Sequence, residues 1–146
     1  MTVGGTLPDG IAFHNNRDGT GTFSGTATPG SGRLYSFSIT ARNGILPDAT
    51  QTFKLTVNQP PLILSADTVT FLVNQSFTFT INTTGSPIAT ITETGILPAG
   101  VTFIDNKNGT ATLSGKVLSA GSFTFTIMAH NGALPDALQT FILKVS

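Results

Sequence analysis

Few residues in this chain could do chemistry. There are two histidines, His14 and His130, no Cys, and seven acidic side chains of which Glu93 is the one Glu. A nucleophilic triad needs an exposed Ser on a strained turn, and no Gly-x-Ser-x-Gly elbow is present. Ser24-Gly25 and Ser114-Gly115 stand at strand ends and read as turns. Glycoside hydrolysis needs two carboxylates at a set separation. Asp48 and Asp136 each follow Leu-Pro in two similar loops, which fits a turn or cap role. Calcium needs six to eight oxygen ligands, several of them anionic. Asp105-Asn106-Lys107-Asn108-Gly109 and Asn15-Asn16-Arg17-Asp18-Gly19 resemble calcium loops superficially, but each carries a cation in its middle. Sugar stacking favours exposed Trp or Tyr. There is no Trp, and the single Tyr, Tyr35, falls on an apolar row. No catalytic, cofactor-binding or metal-ligating residue is therefore expected, and no cofactor.

Composition narrows the classes further. The chain has 146 residues, with Lys and Arg balancing Asp and Glu at a formal net charge of zero. Without a basic surplus there is nothing to displace counterions from phosphates, so a nucleic-acid partner is not expected. The absence of Cys excludes disulfide scaffolds and thiolate sites. No apolar run reaches the roughly 20 residues that span a bilayer, so no membrane insertion is expected in this segment. Met1-Thr2-Val3-Gly4-Gly5 has neither the basic nor the apolar region of a signal peptide.

The positioning elements are repeated. Leu7-Pro8-Asp9-Gly10-Ile11-Ala12-Phe13 returns as Leu97-Pro98-Ala99-Gly100-Val101-Thr102-Phe103. Asp18-Gly19-Thr20-Gly21-Thr22-Phe23-Ser24-Gly25 returns as Asn108-Gly109-Thr110-Ala111-Thr112-Leu113-Ser114-Gly115, and Asn43-Gly44-Ile45-Leu46-Pro47-Asp48-Ala49 as Asn131-Gly132-Ala133-Leu134-Pro135-Asp136-Ala137. The first copy carries two extra residues near Pro29-Gly30-Ser31-Gly32. Met1 aligns with Ile91, so residues 58–90 have no counterpart in the first copy. This arrangement predicts an incomplete repeat over residues 1–57 and a complete one over 58–146, joined at Val57-Asn58-Gln59-Pro60-Pro61.

Each copy alternates with period two, the pattern of half-buried strands. Phe123, Phe125, Ile127 and Ala129 face inward with Thr124, Thr126 and Met128 outward, and the first copy keeps the phase through Tyr35, Phe37, Ile39 and Ala41. Further inward rows are Phe141, Leu143 and Val145 (matching Phe53, Leu55 and Val57), Phe77, Phe79 and Ile81, and Val69, Phe71 and Val73. His14 and His130 fall on outward positions; the repeat sets Ile104 and Arg42 in their places, so neither position demands an imidazole. Strands are predicted near 62–64, 68–74, 76–83, 88–94, 101–104, 109–116, 122–130 and 138–145, punctuated by Asn-Gly or Asp-Gly turns. The fold class is all-β, an antiparallel immunoglobulin-like sandwich.

Thr94-Gly95-Ile96-Leu97-Pro98-Ala99-Gly100-Val101-Thr102-Phe103, followed by Asp105-Asn106 and Asn108 to Gly115, resembles the putative Ig domain repeats of bacterial surface and secreted proteins. Asn131-Gly132, Pro135-Asp136-Ala137 and Gln139-Thr140-Phe141 belong to the same pattern. The resemblance implies a cadherin-like tandem module in an exported protein, extracellular or on the cell surface, acting as a non-catalytic spacer or stalk. Its alternative is an adhesive module that contacts a protein or glycan through loops or edge strands. The implied partners are neighbouring repeats. Some bacterial surface modules of this shape carry a Lys–Asn isopeptide bond, but Lys116, Lys144 and Glu93 become Thr26, Thr56 and Val3 in the first copy. Asn74, Asn82 and Asn108 match the N-glycosylation pattern and read as coincidence in a Thr- and Asn-rich chain.

The half repeat raises an expectation of its own. Without partners for residues 58–90, the row of Tyr35, Phe37 and Ile39 with Phe53 and Leu55 loses its facing side chains, at roughly 1.5–3 kcal/mol for each one left wet. Something is expected to cover that face: residues 62–83 of the same chain, those of a neighbouring chain by swapping, or an oligomer interface.

Overall fold

The computed structural model describes residues 1–146. All regular structure is strand, and the chain divides into two units, Met1–Gln59 and Pro60–Ser146. The first unit holds β1 (Thr2–Gly4), β2 (Ile11–Asn15), β3 (Gly21–Gly25), β4 (Leu34–Ala41) and β5 (Ala49–Thr56). Then come β6 (Gln59–Ile63), β7 (Thr68–Phe71), β8 (Ser76–Ser86), β9 (Thr90–Gly95), β10 (Val101–Asp105), β11 (Thr110–Lys116), β12 (Gly121–His130) and β13 (Ala137–Val145).

The second unit is a pair of four-stranded sheets, ordered β10-β11-β8-β6 and β7-β13-β12-β9. Side chains alternate across each strand, so one face of each sheet supplies the core. β8 sets Phe79 opposite Leu113 and Ile81 opposite Ala111. β12 sets Phe125 opposite Phe141 on β13. The inner faces meet in one apolar cluster in which Ile81, Leu113, Ile127, Phe141 and Leu143 have no exposed surface. The Phe141 ring lies 5.4 Å from Phe79 and 5.2 Å from Phe125, so one aromatic column ties the two sheets together. β7 joins β13 in parallel, with Val69 beside Leu143, whereas β10 with β11, β11 with β8, β12 with β13 and β12 with β9 pair antiparallel.

The first unit repeats part of this plan. β1-β4-β5 form one sheet and β2-β3 a hairpin, in the roles of β9-β12-β13 and β10-β11. Phe37 pairs with Phe53, and Phe13 with Phe23. The Phe23 ring sits 5.0 Å from Phe13, 5.3 Å from Phe37 and 5.6 Å from Phe53. Tyr35 is buried where Phe123 is half-buried; its hydroxyl donates to the Ser31 carbonyl at 2.7 Å, within the segment that carries the two extra residues.

Several details differ from the periodicity reading. Ser114-Gly115 lies inside β11, not in a turn. Gly25 and Gly115 take φ of 125° and 156°, and a Cβ on either would run into the carbonyl oxygen of Gly10 or Gly100 on the neighbouring strand. Those glycines are there for a close backbone approach. β8 runs on to Ser86 and β9 starts only at Thr90. Val73, expected inward, is 37% exposed because β7 ends at Phe71 and the Val73 amide donates instead to the Ser146 carbonyl.

Because its core closes between its own two sheets, the segment 60–146 is expected to fold alone with one cooperative unfolding transition in urea. In that fragment Phe141→Ala should lower stability by about 3–5 kcal/mol, and Leu138→Ala, which removes a side chain that is 69% exposed, by less than about 0.5 kcal/mol.

Candidate functional site

The oxygen-rich loops between β2 and β3 and between β10 and β11 are the closest the molecule comes to a constellation. Their geometry is the same in both copies. In the second unit the Lys107 amide donates to Asp105 Oδ1 at 3.0 Å, and the Thr110 amide and hydroxyl donate to Asn108 Oδ1 at 3.1 and 2.7 Å. Asn106 Nδ2 reaches Thr110 and Thr112. In the first unit the Arg17 amide donates to Asn15 Oδ1, the Thr20 amide and hydroxyl to Asp18 Oδ1, and Asn16 Nδ2 to Thr20 and Thr22. Arg17 and Lys107 stand at φ 64° and 63° in the middle of each loop. The oxygens that a cation would need are turned onto the loop's own N–H and O–H groups, as in Asx turns. Asp105 Oδ2 has no hydrogen-bond partner and is met only by Lys107 Nζ at 3.6 Å. No three His, Asp or Glu side chains are grouped to hold a metal ion.

The Asp18 carboxyl is held below its ordinary value, first by the Thr20 hydroxyl and then by the Thr20 amide. A carboxyl lowered in the folded state adds stability above its unfolded value, and that contribution is lost as pH falls through the folded one. Asn108 makes the same bonds in the second unit without a titratable group.

The remaining candidates are dispersed. His14 is exposed on β2, opposite Thr22 on β3. His130 has a partner that its outward position did not reveal: Nδ1 lies 2.7 Å from Asp136 Oδ1. In the first unit Arg42 Nε lies 2.8 Å from Asp48 Oδ2. The signal was present in the repeat as a cationic or imidazole side chain six residues before the Asp of each Leu-Pro-Asp loop. Glu93 is half-buried on β9 with Oε2 unpartnered. Lys116 and Lys144 are exposed on strands of different sheets. Arg33 lies over the Tyr35 ring at 4.6 Å.

The arrangement is thus two sets of ordered turns on stacked strands. A family model described as Putative Ig domain matches residues 1–58 and again 60–146. The chain belongs to the Putative Ig domain family. No curated protein matches it. Among solved structures, a putative alpha-galactosidase from Bacteroides fragilis is 28% identical over 63% of this chain and 19% of its own, with a TM-score of 0.51. A second, described as a putative alpha-galactosidase/melibiase from the same organism, is 25% identical over 60% of this chain and 18% of its own, with a TM-score of 0.52. An endo-fucoidan hydrolase of glycoside hydrolase family 107 aligns with 99% of this chain and 23% of its own at 22% identity and a TM-score of 0.52, a likeness of fold. The Ig-like chain spans about a fifth of the length of these proteins.

Two outcomes follow. Excess calcium or a chelator should leave the melting temperature unchanged, whereas Asn108→Ala should cost about 1–2 kcal/mol by removing two hydrogen bonds. On acidification from about pH 5 to about pH 2, the parent chain should lose more stability than Asp18→Asn, which keeps the turn without the titration.

Proposed function

We propose that this chain is a non-catalytic spacer in an exported bacterial protein, holding a functional region away from a surface or from a neighbouring domain. The observation that carries this reading is the use of the polar side chains. The loop oxygens, the Arg42–Asp48 pair and the His130–Asp136 pair all close turns in their own unit. Membership of an Ig family and the small share of each glycosidase chain that aligns support an accessory role beside other domains. The second reading, adhesion through loops, draws on the exposed Leu46 and Leu134, apolar residues repeated in the loop before the last strand of each copy.

A spacer of this kind resists extension through its strands. In single-molecule stretching of a polyprotein carrying the chain, the second unit should open in single events that each release about 300 Å, from an extended reach of about 3.4 Å per residue. Gradual extension without discrete events would contradict the mechanical reading. Turnover of an α-galactoside or fucoidan by the isolated chain would contradict its non-catalytic half.

A further inference from the structure

We propose that the loop over residues 28–33 is a catch for the side chain of Gln59, and that it fixes the direction in which the chain leaves the first unit. The inference stands on contacts within that unit and does not depend on the spacer reading.

The catch is built on the segment in which the two copies differ in length. Residues 117–120 join β11 to β12 in the second unit, whereas residues 26–33 join β3 to β4 in the first, and the two extra residues fall at Pro29-Gly30-Ser31-Gly32. Lengthening a loop costs little closure entropy, so an insertion here is tolerated, but tolerance alone does not order it. This one is ordered from inside. Ser31 is the one buried polar residue of the chain, only 6% exposed. Its amide and hydroxyl both donate to the Thr28 carbonyl, and its own carbonyl accepts the Tyr35 hydroxyl. The Thr28 amide donates in turn to the Asp9 carbonyl. The middle of the loop is therefore pinned to the body of the unit at several points.

The amides on either side of Ser31 go elsewhere. Gly30 at 3.1 Å and Gly32 at 3.3 Å both donate to a single atom, Oε1 of Gln59. Two backbone N–H groups converging on one oxygen form a small nest. An uncharged amide oxygen suits it, because its two lone pairs can accept both bonds without the desolvation cost of an ion. Gly30 stands at φ 88°, a conformation that side-chain-bearing residues adopt only with strain, so the shape of the nest depends on glycine at that position.

Gln59 reaches this nest from the exit segment. β5 ends at Thr56, and the Val57 amide still donates to the Arg33 carbonyl at 2.9 Å. Asn58 follows, and Gln59 is the last residue of the unit. The chain is thus held on both sides of Asn58, by its backbone at Val57 and by its side chain at Gln59, and both holds are on residues 30–33. Without the catch, the exit would swivel beyond Val57. With it, Asn58 is the one residue between two anchor points, and Pro60 and Pro61 continue the chain with φ fixed by their rings. The same contact accounts for the glycines of the insertion and for a long, uncharged acceptor at position 59.

The test uses the full chain, isotopically labelled for NMR. Gln59→Ala should speed exchange of the Gly30 and Gly32 amides about tenfold and leave the Ser31 amide, which bonds within the loop, unchanged. In that variant the order parameter of the Asn58 amide should fall from about 0.85 to below about 0.6. Gln59→Asn, one methylene shorter, should behave in the same way. Gln59→Glu places a carboxylate oxygen in the nest; that carboxyl should titrate below the ordinary value of about 4.3, and the Gly30 and Gly32 amide shifts should follow it. Unchanged exchange at both glycines in Gln59→Ala would overturn the proposal, as would titration of Gln59→Glu at the ordinary value with neither glycine moving. Equal acceleration at Ser31 would mean that Gln59 shapes the loop rather than the loop holding Gln59, which also overturns it. An Asn58 amide as ordered in Gln59→Ala as in the parent chain would deny the contact any hold on the exit.

Discussion

The row of Phe77, Phe79 and Ile81 on β8 is the constraint on which the sandwich depends. β8 lies inside its sheet, between β11 and β6, and presses Phe79 onto Phe141 of the facing sheet. Where that row is present, the opposing strands lose all contact with water at Leu113, Phe141 and Leu143. Where the equivalent strands lack it, the same kinds of side chain remain half-buried and four Phe rings gather among themselves. Burial of apolar surface is the dominant favourable term in folding, so equivalent positions such as Phe53 and Phe141 contribute less in the first unit than in the second.

Much of this was legible in the sequence, for a physical reason. Period-two rows such as Phe123 to Ala129 can be read because a strand turns alternate side chains to opposite faces. The repeat then supplied a second reading of every turn and every core position. What remained hidden depended on neighbours distant in the chain. Gly115 looked like a turn residue, yet its role is set by the Gly100 carbonyl on the adjacent strand. The parallel pairing of β7 with β13 leaves no mark in local alternation. The His130–Asp136 contact needed the loop to bring its ends together, and only the Arg42–Asp48 equivalence hinted at it.

The polar chemistry of the molecule is spent on shape. Asn and Asp side chains that could have faced a ligand instead accept from backbone amides two residues on, which fixes the hairpins that keep the strands in register. The surface Arg42–Asp48 ion pair adds little energy, on the order of 0.2–1 kcal/mol, and contributes mainly loop geometry.

Backbone amide exchange, followed residue by residue in the full chain, tests the dependence on β8 most directly. The account predicts strong protection through β8, β11 and β13, whose amides are paired in closed sheets. It predicts much faster exchange on the outer edges of β3 and β5, although Phe23 and Phe53 occupy the same repeat positions as Leu113 and Phe141. Equal protection of β3 and β11, and of β5 and β13, would contradict it.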